Sequence, residues 1–414
     1  MEPNCLLNSK KMKKISCYIY LIALLPLWSG CRKDFAPVNT LSYTLAVRYP
    51  GTYNESFAQG AAVTLKNTFT GQTTQFTSNS QGEVDLRDIL PGIYTVTASR
   101  EITEAESVAI TGREGKAFLN AAIASLRIQA SGKTEIQLSG GAVGGFVIKE
   151  FYYTGSRTPN NASYLYDGFV EIYNNSTDTL YAGGISFGAT KAGSSVATKF
   201  IEDQQNVYLA SLWTIPGSAG TDHPVAPGKS IVIAVDGINH KTDPNGNPNA
   251  PTDLGAGIAD FETYFNPPGN TNDTDSPDVP NVTLIHSSSL TLFDWLPGVN
   301  GSGLVILSPD DYTDYETVTE PGAAVSTRYM KVPADKVIDG IDCVANSTIT
   351  LDKKRLPSNI DAGVAFVGGG AGTGKSVIRK VREEINGVKV LLDTNNSSSD
   401  FTVNDTPSPK SYSK

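Results

Sequence analysis

The sequence is short of the residues that do much of protein chemistry. Among 414 residues there are four cysteines, three histidines, three methionines and three tryptophans. The histidines, His223, His240 and His286, stand far apart, and no two show the i, i+4 spacing of a helical zinc pair. Each reads as a solvated or loop residue, and no metal ligand set is expected. Three of the cysteines, Cys5, Cys17 and Cys31, fall in the first 31 residues. Cys343, in VIDGIDCVA, reads as a small buried hydrophobe. No basic stripe interrupts the dispersed charges, which excludes a nucleic-acid partner. Long apolar runs are also scarce. The main one, Ile15 to Leu27, is shorter than the ~20 residues that span a bilayer with ease.

That run follows Lys10, Lys11, Lys13 and Lys14, so residues 1–30 have the positive and apolar regions of a signal peptide. Met12 opens a complete signal of its own, MKKISCYIYLIALLPLWSGC. The end of the run, Leu27-Trp28-Ser29-Gly30-Cys31, resembles a bacterial lipoprotein cleavage site, with Trp28 where an aliphatic residue is usual. The resemblance implies that Cys31 becomes the acylated first residue, with residues 31–40 as a tether. The protein would then sit on the bacterial outer membrane, at its periplasmic face or on the cell surface. Removing residues 1–30 takes away four Lys and one Glu, leaving 29 positive and 41 negative side chains, a net of −12. Only Cys343 would then remain beside the lipidated residue, and no intrachain disulfide can form.

What the chain has in quantity is turn formers, with 39 Gly and 23 Pro. Between them the pattern alternates with period two. TLAVRY puts Leu45 and Val47 on one face, and AVTLKN does the same with Val63 and Leu65. Turns are expected at Asn67–Gly71, Asn79–Gly82 and Leu90-Pro91-Gly92, and Glu101–Glu106 reads as a polar loop. Strands at roughly ten-residue spacing predict an all-β chain built of sandwiches. The run VTLKNTFTGQTTQFTSNSQGEVDLRDILPGIYTVTAS resembles the carboxypeptidase-regulatory or transthyretin-like fold, which implies a non-catalytic spacer over residues 41–140.

Ser139–Gly145 is small and flexible, and reads as a hinge. A second module is expected over residues 146–414. FVIKEFYY, then GFVEIYNNS, APGKSIVIA and VIDGID resemble the lamin-tail domain, an immunoglobulin-like sandwich. That family needs far fewer residues, so 191–328 reads as a large insertion on the sandwich. The arrangement as a whole resembles a family of Bacteroidetes lipoproteins of unassigned function.

One stretch points elsewhere. GGGAGTGKSVIRK, Gly368 to Lys380, satisfies the phosphate-loop pattern from Gly369 to Ser376. Such a loop needs a helix from Ser376 onward, whose N-terminus meets the phosphate. But Asn386-Gly387 between alternating runs is a strong hairpin signal. It pairs Ile385 with Val388, Glu383 with Val390 and Val381 with Leu392, and leaves no helix. No nucleotide or other cofactor is expected. Gly184–Gly188 matches the G-x-S-x-G elbow, but the Gly, Ser and Thr after it read as sandwich, not helix. Loops from Asp243 and from Asp273 lack the Gly and Glu of a calcium-binding hand.

The composition and modules predict a non-catalytic envelope lipoprotein. It would be a binding or structural accessory that captures a partner protein, glycan or nutrient near an outer-membrane transporter. The alternative is a secreted hydrolase with its site in 191–328. Within that segment Phe261, Tyr264 and Phe265 are the expected partner contacts. Tyr164 and Tyr166, in a polar loop, are candidate sugar platforms.

Overall fold

The computed structural model describes residues 40–51, 53–112, 117–140, 145–255, 257–265, 275–289, 294–385 and 387–411. Cys31 and most of the tether therefore lie outside the described residues. Leu41 to Lys414 form one compact unit, and within it the apolar core of residues 45–138 is separate from those of the later residues.

The first core lies between two sheets. Chain order gives β1 (Leu41–Arg48), β2 (Ala62–Asn67), β3 (Thr73–Thr77), β4 (Glu83–Ile89), β5 (Gly92–Ile102), β6 (Ala117–Ile128), β7 (Gly132–Gln137) and β8 (Ser139–Gly140). They assemble as β4-β1-β7 and β3-β2-β5-β6-β8. Leu45, Val47, Val84 and Leu86 from one sheet meet Val63, Leu65, Val96 and Leu126 from the other. The alternation in the sequence is thus the alternation of buried and exposed faces. One expectation fails. The loop expected over 101–106 is instead the end of β5, a one-residue cap and the start of helix α1 (Glu104–Thr111). Thr103 and Glu106 form a capping box there, a signal that T-x-x-E carries in the sequence.

The second module is a thicker sandwich. Its strands are β9 (Phe146–Tyr152), β10 (Ser156–Arg157), β11 (Ser163–Tyr164), β12 (Phe169–Asn174), β13 (Leu180–Tyr181), β14 (Ser186–Thr190), β15 (Asn206–Thr214), β16 (Pro224–Val225) and β17 (Ser230–Ala234). Then come β18 (Phe261–Glu262), β19 (Thr283–Ser287), β20 (Gly303–Leu307), β21 (Thr317–Val318), β22 (Tyr329–Pro333) and β23 (Val337–Asp342). The last are β24 (Ser376–Arg379), β25 (Val381–Ile385), β26 (Val388–Leu391) and β27 (Phe401–Asn404), with helix α2 (Ser397–Asp400) before β27. One large sheet runs β18-β17-β12-β9-β24-β27, and the other β21-β22-β15-β14-β20-β23 with β19 also on β15. Phe151, Ile172, Ile233 and Val377 of the first pack against Phe187, Trp213, Ile306 and Ile341 of the second.

The segment 191–328 is not an insertion on this scaffold. It supplies β15, β17 and β20, which lie inside the two large sheets. Their sequences, VYLASLW, SIVIA and GLVIL, are the near-continuous apolar runs of strands covered on both faces. The described residues of the polar stretch 236–281 cover the outer face of the first large sheet. Leu254, Ala259 and Val279 pack there on Tyr152, Phe169 and Val232.

The glycine loop leads into a strand. Ser376–Arg379 is β24, hydrogen-bonded between β9 and β27, where a phosphate loop requires a helix. β25 and β26 form the expected hairpin, with Ile385 opposite Val388 and Glu383 opposite Val390. A register shift places Val381 opposite Leu391, one residue from the expected Leu392. Asn386 lies outside the described residues. Gly387 takes φ 80°, as the second turn position of such a hairpin demands. Lys375 pairs with Asp405 at 2.6 Å in an exposed setting. Lys375→Ala is therefore expected to change stability by no more than ~0.5 kcal/mol in a urea melt. Calorimetry with ATP or GTP should give no saturable heat with either protein.

Candidate functional site

The outer face of the first large sheet carries buried charges. In β9 the pairing with β12 slips: Glu150 stands opposite Glu171, and Ile148 opposite Ile172. Lys149 is the extra residue of this bulge, so Lys149 and Glu150 both leave the apolar interior. Two carboxylates directly across a strand pair repel. Lys149, whose Nζ lies 2.7 Å from Glu171 Oε2, offsets that repulsion. Lys149 and Glu171 are almost fully buried, at 1% and 0% exposed. Burial raises the pKa of both glutamates against their hydrogen bonds.

What buries them is the end of the chain. The Ser408 N–H donates to Glu150, the Lys410 N–H donates to Glu171 Oε1 at 3.1 Å, and Lys149 Nζ donates to the Ser411 carbonyl at 2.6 Å. Ser376 Oγ and Asn404 Nδ2 also donate to Glu150. Lys410 is held at φ 58°, in the left-handed region that non-glycine residues rarely occupy. Its Nζ reaches Asp260 at 2.7 Å.

Beside this strap the hairpin β25–β26 leans on β12. Tyr173 Oη donates to the Lys389 carbonyl at 2.6 Å, and Asn175 exchanges hydrogen bonds with Leu391. Gly228, in the turn before β17, faces the hairpin. A Cβ there would come within 2.8 Å of Val388 and 3.4 Å of Tyr173 Oη, and φ is +73°. Only glycine suits that position.

Between strap, hairpin and turn lies a cavity of about 450 Å³ whose lining includes Lys149, Glu171, Lys229, Ser230, Lys389 and Lys410. A second cavity of about 420 Å³ shares Lys229 and Ser230. It is lined by His223, Pro224, Val225, Asp260, Phe261 and Pro280 among others, and the rings of His223 and Phe261 meet edge-on at 5.0 Å. The two form one groove, cationic at one end and ring-lined at the other. Its carboxylates are already engaged. Glu171 accepts from Lys149, Ser230 and the Lys410 N–H, and Asp260 is bridged to Lys410.

The residues expected from the sequence land differently. Phe261 is 3% exposed, packed in the sandwich core, and contributes only to the wall of the second cavity. It is not a protruding anchor, because β18 pairs it into the sheet beside Ile233. Tyr264 is half-buried and bridges to Asp294, while Phe265 is 36% exposed. Tyr164 and Tyr166 are not sugar platforms. Tyr164 is buried and hydrogen-bonds His240 Nδ1 at 2.8 Å, and Tyr166 packs against the core. His240 is not a solvated residue either. It is fully buried, and burial pushes its pKa down to about 4. Ser186 of the G-x-S-x-G match lies in β14, fully buried, 2.6 Å from Thr214 Oγ1. Asp243 closes an Asx turn onto the Asn245 N–H, and Asp273 lies outside the described residues. Among the described residues, no three His, Cys, Asp or Glu side chains gather so as to hold a metal ion.

Two further charged clusters are structural. Arg379, 1% exposed, reaches Asp339 at 2.5 Å, Asp393 at 3.0 Å and Asp400 at 3.5 Å. Burial lifts Asp339 to about 7 and Asp400 to about 6 despite the guanidinium. One cation does not balance three carboxylates, two of them buried. Lys354 lies 3.5 Å from Asp342 and 4.0 Å from Asp361, all three buried. The groove lysines escape sequence reasoning because they come from four separate segments that only the fold brings together.

Residues 226–408 match the family described as "Protein of unknown function (DUF4876)". A crystal structure of a DUF4876 family protein from Bacteroides thetaiotaomicron is 26% identical to the chain, covers 87% of it and 94% of its own length, and superposes with a TM-score of 0.55. A DUF3823 family protein from Parabacteroides merdae is 8% identical over 37% of this chain and 67% of its own, with a TM-score of 0.17. No curated protein matches. The family match, over somewhat less than half of the chain, and the likeness over nearly the whole Bacteroides chain support an unassigned-function Bacteroidetes family.

Proposed function

We propose that the protein is a non-catalytic binding module of the bacterial cell envelope, tethered by lipid at Cys31, and that the groove around Lys229 holds a glycan. The observation that carries this reading is the engagement of the groove's carboxylates. Hydrolysis of a glycoside calls on one carboxylic acid and one carboxylate at a set separation. Glu171 and Asp260 are instead committed to lysines and fixed donors. The lining suits a sugar: ammonium donors at one end, proline and aromatic faces at the other. Each cavity falls in the size range of small-ligand sites.

A panel of oligosaccharides measured by calorimetry tests the reading. Binding with one site per chain is expected. It should be lost in Ala226→Trp, which fills the second cavity from an exposed position. Release of reducing ends from any bound oligosaccharide would favour the hydrolase instead. For the tether, Cys31→Ala should move the protein from the membrane to the soluble fraction or block its maturation. A mutant that still fractionates with membranes, and a wild type that takes up no labelled fatty acid, would remove the lipid anchor from this account.

A further inference from the structure

The two ends of the first module differ in composition. One end consists of the turns 68–72, 90–91 and 129–131, and none of their residues is charged. The other carries helix α1 with Glu104 and Glu106, and Glu55, whose N–H donates to the Ile110 carbonyl. At the uncharged end Phe69 is 96% exposed and Leu90 is 44% exposed, with exposed Pro91 next to it. Neither turn is loose. The Asn67 side chain accepts from the Phe69 and Thr70 N–H groups at 2.9 Å, and Tyr94 Oη donates to the Leu90 carbonyl at 2.7 Å. Thr68 Oγ1 donates to the Ile93 carbonyl at 3.0 Å and so ties the two turns together. They hold two apolar side chains in water, at a cost that contact with an apolar phase would recover.

The chain enters the module at this same end. Leu41 pairs with Ile89, beside Leu90, and the Ser42 N–H donates to Ser131 Oγ at 3.3 Å. It leaves at the opposite end, because β7 runs parallel to β1, from beside Tyr43 to beside Arg48. The second module attaches there. Phe118 and Asn120, opposite Glu101 and Ser99, meet it: Asn120 donates to the Thr394 carbonyl, and the Arg382 guanidinium lies 5.6 Å over the Phe118 ring. Cys31 is ten residue steps from Leu41, a span of about 35 Å at full stretch. We propose that the end bearing Phe69 and Leu90 docks on the lipid bilayer that holds the Cys31 anchor, so that the first module stands on the membrane with the second module away from it.

The docking rests on the lipid-anchor reading above and adds an orientation to it. An aromatic ring and a leucine suit the boundary between headgroups and acyl chains, and an uncharged end has no ion to desolvate there. The short tether keeps this end at high local concentration beside the bilayer, so weak insertion suffices.

Vesicles of phosphatidylethanolamine and phosphatidylglycerol in equal parts, with or without bromine on the acyl chains, test this with the full lipidated protein. Phe69→Trp places a fluorescent reporter on the turn. Trp213 and Trp295 are buried in the second module and give a constant background. The added emission should shift to the blue and lose roughly half its intensity in the brominated vesicles, as expected of a ring sunk ~5–10 Å into the boundary. Val108→Trp, at an exposed position of α1 on the far end, should lose none. Equal quenching at both positions would show the protein lying flat and would overturn the docking. So would an unquenched Phe69→Trp protein that floats with the vesicles, an outcome that leaves this end to a protein partner. Protein that neither floats nor takes up labelled fatty acid would remove the anchor itself, and the docking with it.

Discussion

Replacing Arg379 with methionine is expected to lower the free energy of unfolding by about 3–5 kcal/mol, enough to leave much of the chain unfolded at moderate urea. The guanidinium ties both layers of the second module. It donates to the Ile148 carbonyl of β9 and to Asp339 of β23, and it stacks 4.5 Å over the Phe401 ring of β27. Methionine keeps much of the volume and removes the charge, leaving the buried Asp339 and Asp400, with Asp393 beside them, without their counter-ion. The same cluster sets a pH dependence. Asp339 titrates near 7 and Asp400 near 6 in the folded protein, against 3.8 for a free aspartate. A raised carboxyl binds more protons folded than unfolded. Its stabilisation is therefore complete below about pH 4 and is lost as pH rises through 6 to 7. His240, lowered to about 4, works the other way and gains stability up to about pH 6.5. The fall due to Asp339 should thus be cleanest between about pH 6.5 and 8. Asp339→Asn should flatten urea midpoints across that window. A wild-type midpoint that stays as flat there as the variant's would contradict the assignment.

The second large effect is expected at the bulge. Lys149→Met should cost about 3–5 kcal/mol, because Glu171 is then a buried carboxylate facing Glu150 with no cation between them. Adding Glu171→Gln should recover most of that loss, since the amide still accepts from Ser230 and Lys410 and carries no charge. Chemical melts of both single variants and the double variant give the coupling directly. Additive losses would mean that the ion pair contributes little, and that the strap alone settles the two glutamates.

Much of the architecture is written in local pattern. The alternation in AVTLKN is borne out as a two-faced strand, while in TLAVRY Ala46, between Leu45 and Val47, is buried as well. The Asn386-Gly387 turn also specifies its hairpin, down to a single shifted pair. What pattern does not carry is cover. Lys149, Glu150 and Glu171 sit in strands where a charged alternate position normally means solvent, yet residues 407–411 lie over them. Phe261, Tyr264 and Phe265 stand in a polar, proline-rich stretch that looks like a loop. The two-residue parallel pairing of β18 with β17 draws the first of them inward and is too short to leave a periodic trace. The groove has no motif, because Lys149, Lys229, Lys389 and Lys410 share no spacing, only a place.

The path of β9 has a consequence for how such a chain comes into being. Its partner β24 and the strap arrive last: Glu150 meets Ser376 across 226 positions and Asn404 across 254. At typical rates of synthesis the second gap takes about 10–50 s to fill. Throughout that interval one edge of β9 has no neighbour and its charges have no roof. Contacts so distant in sequence slow the search for the native state, since loop closure precedes any reward. The second module therefore cannot complete this sheet until residues 404–411 have been made, and they act as its closing stitch.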